Sequence, residues 1–217
     1  MFVCFLDASK AFDRISHDKL FEKLSKRGVP TYIMKLLMYW YCNQTFCVRW
    51  GSSVSAPFTV TNGVRQGGIL SPVLFNVYFD DLSSKLNHIK CGCILNNVIM
   101  NHLMYADDLV VFAPSLIGLQ LLLDNCAIFA ENNDVMFNPL KSACMIFRPK
   151  NSNYKIASSV YLNGESLKVV SNTKYLGHRI SNDLSDDLDM SRQYRQLYVQ
   201  GNVLLRKFHM CSIEVKL

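Results

Sequence analysis

Two adjacent carboxylates, Asp107 and Asp108, interrupt the apolar runs Leu103-Met104-Tyr105 and Leu109-Val110-Val111-Phe112, which would pack better without them. Neighbouring anions repel, and a site tolerates them best when a divalent cation neutralises their charge. Successive residues of a strand point to opposite faces, so one member of the pair should meet such an ion squarely and the other reach it only in part. A third carboxylate must come from elsewhere; Asp7, closing the apolar run Phe2 to Leu6, is the candidate. Three aspartates at the ends of adjacent strands are hard oxygen ligands suited to Mg²⁺, whose usual catalytic use is phosphoryl transfer with a two-ion clamp. A Mg²⁺ phosphatase or nuclease would also use such a cluster. The remaining acid pairs have simpler readings. Asp80 and Asp81 sit late in a helix, where neighbours diverge by about 100°, and read as a solvated face. Asp186, Asp187 and Asp189 precede a helix, where carboxylates favour the positive end of its dipole.

The elements that must carry these residues follow from periodicity and punctuation. Phe2 to Leu6 is a buried strand. Ser16 or Asp18 caps a helix through Leu20, Phe21 and Leu24 that Gly28 stops, and Pro30 opens a second through Leu36, Leu37 and Trp40. Thr45–Trp50 and Val54–Val60 read as a hairpin about Gly51-Ser52-Ser53. The glycine-rich stretch Asn62–Leu70 leads to Ser71-Pro72, which opens a helix reaching about Asn87. Strands around Cys91–Met100 turn at Asn96-Asn97, and His102–Tyr105 and Leu109–Ala113 form a hairpin about the acid pair. Ser115 caps a helix to about Asn133. Ala143–Phe147 is a strand, Asn163-Gly164 turns a hairpin between Val160 and Val170, and Tyr175–Ile180 is one more strand. A helical register then sets Tyr194, Leu197, Leu204 and Leu205 among Arg192, Arg195, Arg206 and Lys207. Strands and helices interleave without a strict βαβ repeat, so the fold class is α+β, an antiparallel sheet with helices on one face. A loose boundary falls near residues 170–185.

Composition bounds the class. With 217 residues, half of them apolar and 18% charged, the chain can bury a real core and does not read as disordered. No stretch reaches the roughly 18–20 apolar residues that span a bilayer, and no export signal precedes Asp7, so no membrane partner is expected. Eight dispersed cysteines read as buried reduced thiols in an intracellular, reducing compartment, cytoplasm or nucleus. Net charge is +6, and its distribution is uneven: residues 1–140 carry 11 Lys/Arg against 11 Asp/Glu, whereas residues 141–217 carry 12 against 6. A neutral, acid-bearing body beside a basic C-terminal portion suits a protein that holds a polyanion while another region does chemistry on it. An ordinary solvated surface accounts for the charge equally well.

The ordered set of motifs resembles the palm of a reverse transcriptase of the non-LTR retrotransposon (LINE) kind. Phe5-Leu6-Asp7-Ala8-Ser9-Lys10-Ala11-Phe12-Asp13 is similar to the first metal-binding motif, Asn62-Gly63-Val64-Arg65-Gln66-Gly67-Gly68-Ile69-Leu70-Ser71-Pro72 to the second, and Tyr105-Ala106-Asp107-Asp108 to the third. Asn138-Pro139-Leu140-Lys141-Ser142 resembles the lysine motif that follows, and Tyr175-Leu176-Gly177 the primer-gripping strand. The resemblance implies a polymerase palm over residues 1–175 and a partial, basic, helical thumb over residues 176–217. It also implies an RNA-directed DNA polymerase that joins a dNTP to the 3′-hydroxyl of a DNA primer on an RNA template. Asp7, Asp107 and Asp108 would hold two Mg²⁺, or Mn²⁺, with Asp7 and Asp107 bridging and Asp108 assisting.

Further roles are carried over by the same resemblance. Ala8, Phe12, Gln66 and Gly67 would meet the incoming nucleotide, with Phe12 under its sugar excluding a 2′-hydroxyl; an ordinary core aromatic is the other reading of Phe12. Lys141 would donate a proton to pyrophosphate. Arg65 would touch template or phosphate, or stand as a surface cation, and Tyr175, Leu176 and Gly177 would hold nucleic acid. Met1 lies six residues before Asp7, so the expectation is a copy truncated at its N-terminus, lacking fingers and weak as a polymerase by itself. The alternative is a catalytically inactive remnant that only binds nucleic acid.

Overall fold

The computed structural model describes residues 1–148 and 159–211. Of the basic C-terminal excess, Lys150, Lys155 and Lys216 lie outside the described residues. The centre is a five-stranded sheet. Its strands are β1 (Phe2–Asp7), β2 (His102–Tyr105), β3 (Asp108–Ala113), β4 (Ala143–Ile146) and β5 (Lys168–Val170), in the order β5-β4-β1-β3-β2. All neighbours are antiparallel except β4 and β5, which run parallel, so the expected antiparallel sheet is mixed at one edge.

Period-two alternation decides which face the helices cover. On β1, Cys4 and Leu6 face the helices; across from them stand Val111 and Leu109 of β3, and Cys144 of β4 lies opposite Cys4. These join a core built from two helices, α3 (Ser71–His88) and α4 (Leu116–Asn132). Phe75, Tyr78, Phe79, Leu82 and Leu86 of α3 and Leu119, Leu122, Leu123, Cys126 and Phe129 of α4 are buried at helical spacing. Two earlier helices, α1 (His17–Lys26) and α2 (Thr31–Cys42), complete the layer, α1 against α3 and α2 against α1.

The acid pair on α3 is not simply solvated. Asp81 accepts from Lys23 Nζ at 2.5 Å and Asp80 pairs with Arg27, so both carboxylates tie α3 to α1. Lys23 is nearly buried, and its ammonium lies 5.1 Å from the Tyr78 ring centroid and 5.4 Å from that of Phe129. An opposite charge and two aromatic faces compensate its desolvation. Nor are all the thiols buried: Cys4, Cys126 and Cys144 are, while Cys42 and Cys47 are exposed, because the end of α2 and the strand after it lie outside the core. All eight are free.

Several local expectations shift. The hairpin about residue 51 breaks into two short pairings, Thr45–Phe46 with Phe58–Thr59 and Arg49–Trp50 with Ser53–Val54. Ser16 precedes α1 without a side-chain capping bond, whereas Ser115 Oγ accepts from Gly118 N as expected. Asn163-Gly164 does turn a short hairpin, Tyr161–Leu162 with Glu165–Ser166, but the chain beyond it leaves to pair with β4. The single strand expected over Tyr175–Ile180 is a hairpin, β6 (Asn172–Tyr175) and β7 (His178–Ser181), turned by Leu176-Gly177. Both turn residues have positive φ, 45° and 85°, as a two-residue hairpin turn of the primed type requires. Last comes α5 (Asp187–Lys207), basic in its final turn and with no buried residue. Among the described residues no helix is long and apolar enough to cross a membrane.

Burial separates the two ends of the chain energetically. Phe129→Ala should cost about 3–5 kcal/mol of unfolding free energy, whereas Tyr194→Ala on α5 should stay within about 0.5 kcal/mol. Urea denaturation of the two variants checks this, and equal losses would show that α5 packs on the body.

Candidate active site

Strand register brings the key carboxylates together. β1 and β3 pair from Phe2↔Ala113 to Asp7↔Asp108, so Asp7 and Asp108 stand directly opposite at the end of the ladder. Directly opposed residues of an antiparallel pair share a face. Here it is the face away from α3 and α4, since the next pair inward, Leu6↔Leu109, is buried in the core. Asp107 occupies the two-residue turn between Tyr105 and Asp108, which are themselves opposed. The other turn residue, Ala106, has φ 51°, a left-handed conformation that costs a non-glycine residue about 1–2 kcal/mol. The pairings on either side hold that strain at the tip that carries the acids.

Electrostatics report the same proximity. The Asp108 carboxyl is raised above its ordinary value, first by burial and then by the charges of Asp107 and Asp7. Three hard-oxygen carboxylates gathered at one end of the β1–β3 ladder are a donor set whose chemistry fits a divalent cation. Among the described residues, however, no group of three or more His, Cys, Asp or Glu side chains is drawn in closely enough to hold a metal. The backbone sets the acids on one rim.

The lysine motif is threaded past this rim. Asn138 N donates to Asp7 O at 2.9 Å, Ser9 N to Met136 O at 2.8 Å, and Ala8, buried, bridges Phe137. Buried Ser142 accepts from Asp7 N through its hydroxyl at 3.1 Å, a fastening of the Asp7 backbone that sequence reasoning did not assign. Its signal was its place in the motif beside Lys141. Lys141 itself is exposed on the turn that Asn138 closes.

A second fastening joins the end of the first motif to the glycine-rich one. Gly63 N donates to Ile15 O at 2.7 Å, Val64 N to Phe12 O at 2.8 Å, and Ser16 bridges Asn62. His17 Nε2 lies 2.8 Å from Gly63 O. Only glycine fits at 63: φ is 91°, and a Cβ there would stand 2.9 Å from the Asp13 Cα. Further on, Gly68 N and Ser71 Oγ both donate to Arg65 O, at 3.0 and 2.5 Å, so the first-turn serine of α3 shapes the loop rather than capping the helix. Gln66 is exposed and its amide reaches Asp13 Oδ1 at 3.5 Å, with Gly67 beside it at φ 80°. Phe12 stacks on Phe75 at 4.5 Å and 18° and is only partly buried, so it is both a core-edge aromatic and a surface one.

The residues of the expected primer-gripping strand divide. Tyr175 is brought to the carboxylates: its ring lies 5.5 Å from Phe5, two residues before Asp7, and its hydroxyl is raised by burial and by the Asp108 charge. Leu176 and Gly177 are exposed at the hairpin tip. Asp189 at the start of α5 holds that hairpin, accepting from Arg179 N at 2.8 Å, His178 Nδ1 at 2.9 Å and Arg192, while Arg192 also donates to Gly177 O. Asp187 and Asp189, expected before the helix, lie in its first turn, and Asp189 thus does more than favour the dipole.

Residues 1–180 match the family described as reverse transcriptase (RNA-dependent DNA polymerase). The chain is 33% identical over 182 residues to the Retrovirus-related Pol polyprotein from type-2 retrotransposable element R2DM of Drosophila melanogaster, covering 81% of this chain and 17% of that protein. It is 29% identical over 187 residues to the RNA-directed DNA polymerase from mobile element jockey of the same species, covering 83% and 20%. The chain therefore spans about a fifth of the length of these relatives. A solved structure of apo telomerase from Candida tropicalis, truncated from its C-terminal domain, superposes with a TM-score of 0.59 at 13% identity, over 85% of this chain and 34% of that one. That likeness is one of fold.

The Asp189 contacts generate a pH prediction. Hydrogen bonds from His178, Arg192 and the Arg179 amide, in that order, hold its carboxyl well below the ordinary carboxylate range. A lowered folded-state value stabilises above the unfolded value of about 4 and is lost as pH falls from there towards the folded one. The melting-temperature gap between the wild type and Asp189→Asn should be full at pH 5 and close steadily below about pH 4. A gap independent of pH would show that these bonds do not depend on the charge.

Proposed function

The chain belongs to the reverse transcriptase (RNA-dependent DNA polymerase) family, and on that premise we propose that it forms the catalytic palm of an RNA-directed DNA polymerase of a non-LTR retrotransposon. One observation carries the reading: the β1–β3 register that sets Asp7 across from Asp108, with Asp107 beside it in the turn. The palm would comprise residues 1–175, with the start of a basic helical thumb beyond. The hairpin β6–β7 crosses from one to the other.

Mg²⁺ or Mn²⁺, held by Asp7, Asp107 and Asp108, would supply Lewis-acid activation and neutralise charge on the reacting phosphate. The protein's own residues position and bind. Ser142 holds the Asp7 amide and Asn138 its carbonyl, so the backbone that carries this carboxylate is fixed in advance of reaction. Tyr175 and the exposed Leu176-Gly177 tip stand where a primer end would meet the acids. Phe12, braced on Phe75, and Ala8, Gln66 and Gly67 border the space for the dNTP, and a ring under the sugar would exclude a 2′-hydroxyl sterically. Exposed Lys141 can turn its ammonium towards a leaving pyrophosphate and donate a proton. Arg65 would meet the RNA template or its phosphates. Cationic residues of α5, Arg192, Arg195, Arg206 and Lys207, would add salt-sensitive affinity for the nucleic acid.

A second reading keeps the fold and nucleic-acid binding but not catalysis. It is favoured by the open disposition of the acids, which form no metal-holding cluster among the described residues. Primer extension on an RNA template with Mg²⁺, by a protein containing residues 1–217, separates the two. Asp7→Asn and Asp108→Asn should each lower extension by about a hundredfold or more, while salt-dependent RNA affinity persists. Extension that survives both Asp7→Asn and Asp107→Asn would contradict the palm assignment, and binding without extension in the wild type would favour the second reading.

A further inference from the structure

Helix α5 buries no residue, yet it is not polar all round. Met190, Tyr194, Leu197, Gly201, Leu204 and Phe208 follow one another at alternating intervals of four and three residues. That is the repeat of a helix that packs lengthwise against another helix, and it draws one stripe along the side of α5. Every side chain of the stripe is exposed, Leu197 to 69% and Leu204 to 54%, and Tyr198 and Leu205, exposed too, widen it along one flank. At about 100° per residue, Asp189 and Arg192, which hold α5 to the β6–β7 hairpin, lie outside the stripe, Arg192 on the opposite side of the helix. Arg195 and Arg206 share that opposite side. The apolar stripe therefore faces away from the hairpin that anchors the helix, and a stripe of this kind marks a contact with another element.

Charge decides the partner and its direction. The helix opens on Asp186 and Asp187 and closes on Arg206 and Lys207. Asp186, Gln193, Gln200 and Lys207 recur every seven residues along the flank of the stripe that Tyr198 and Leu205 leave free. A second copy laid parallel would set Asp186 beside Asp186 and Lys207 beside Lys207. Laid antiparallel, it brings Asp186 of each helix to Lys207 of the other and Gln193 to Gln200, with the two helix dipoles opposed. The same register sets Tyr194 across from Leu197 and Met190 across from Gly201, where no atom lies within 4 Å of the Cβ position, so a long side chain meets open space. We propose that α5 is a self-association surface, through which two copies of the chain pair as an antiparallel two-helix coiled coil with twofold symmetry. Arg192, Arg195 and Arg206 stay outside the seam and free to meet nucleic acid. Because no residue of the body takes part, urea unfolding at protein concentrations below the dimer dissociation constant does not register the contact.

Sedimentation velocity of the full chain, freed of nucleic acid by nuclease, tests this. Over about 1–100 µM the weight-average mass should climb from that of one chain towards that of two. Leu197→Asp and Leu204→Asp, both at exposed residues, should remain monomeric at every concentration while circular dichroism shows the folded body unchanged. Asp186→Lys and Lys207→Asp should each weaken association about tenfold, and the variant carrying both reversals should recover it. A wild type that stays monomeric throughout would overturn the proposal and leave the stripe to a different partner. So would a dimer indifferent to both leucine variants, or one that the double reversal leaves as weak as the single ones.

Discussion

The antiparallel ladder between β1 and β3 is the constraint on which the other features depend. Six residues of β1 pair without a bulge with six of β3, from Phe2↔Ala113 to Asp7↔Asp108. A slip of one residue would turn Cys4, Leu6 and Ala8 out of the core and Val3, Phe5 and Asp7 into it. Burial of Leu6, Leu109 and Val111 therefore holds the two carboxylates on the open face as firmly as it holds the core. The two acids are distant in sequence and repel one another, so nothing local would bring them together. The hydrophobic face does, and the Asp108 carboxyl is raised there by burial first and by the charges of Asp107 and Asp7 after it.

Around that ladder the structure uses backbone hydrogen bonds to fasten segments with no regular structure of their own. Residues 136–138 lie along residues 7–9, and residues 62–64 along residues 12–16. Glycine at 63 is what allows the second approach, since any side chain there would enter the Asp13 backbone. The ring series Phe12, Phe75, Phe79 and Phe129, each within 5.6 Å of the next, runs from the edge of the site through α3 into α4. Offset aromatic contacts of this kind are stiff and add to the burial of the rings themselves. The site is accordingly rigid where it touches the core and open where α5 and the loop tips meet solvent.

What was legible in the sequence follows from this division. Apolar period and punctuation located the first four long helices and the carboxylate hairpin within a residue or two, because those signals are the same forces that form the elements, whereas α5 starts earlier than its register suggested and takes in Asp187 and Asp189. Asp7 and the Asp107-Asp108 pair could be singled out because a charge that closes an apolar strand is costly unless an ion or a partner meets it. Pairing partners were less visible. The β6–β7 hairpin read as one strand because its turn is Leu176-Gly177, a pair whose apolar member hides the turn, and the parallel β4–β5 contact has no local signature. Asp80 and Asp81 read as solvated because their partners, Arg27 and Lys23, lie more than fifty residues away. Ser142 escaped for the same reason: its hydroxyl matters only because folding carries it to the amide of Asp7.

The central claim is that Asp7 and Asp108 act as one site because register opposes them. Mn²⁺ binding, followed by electron paramagnetic resonance on the wild type, Asp7→Asn, Asp108→Asn and the double variant, tests it most directly as a double-mutant cycle. The account predicts a bound ion in the wild type, a large loss of affinity in either single variant, and a double variant scarcely weaker than the singles. Losses that simply add, or an ion whose affinity ignores one of the two aspartates, would contradict it.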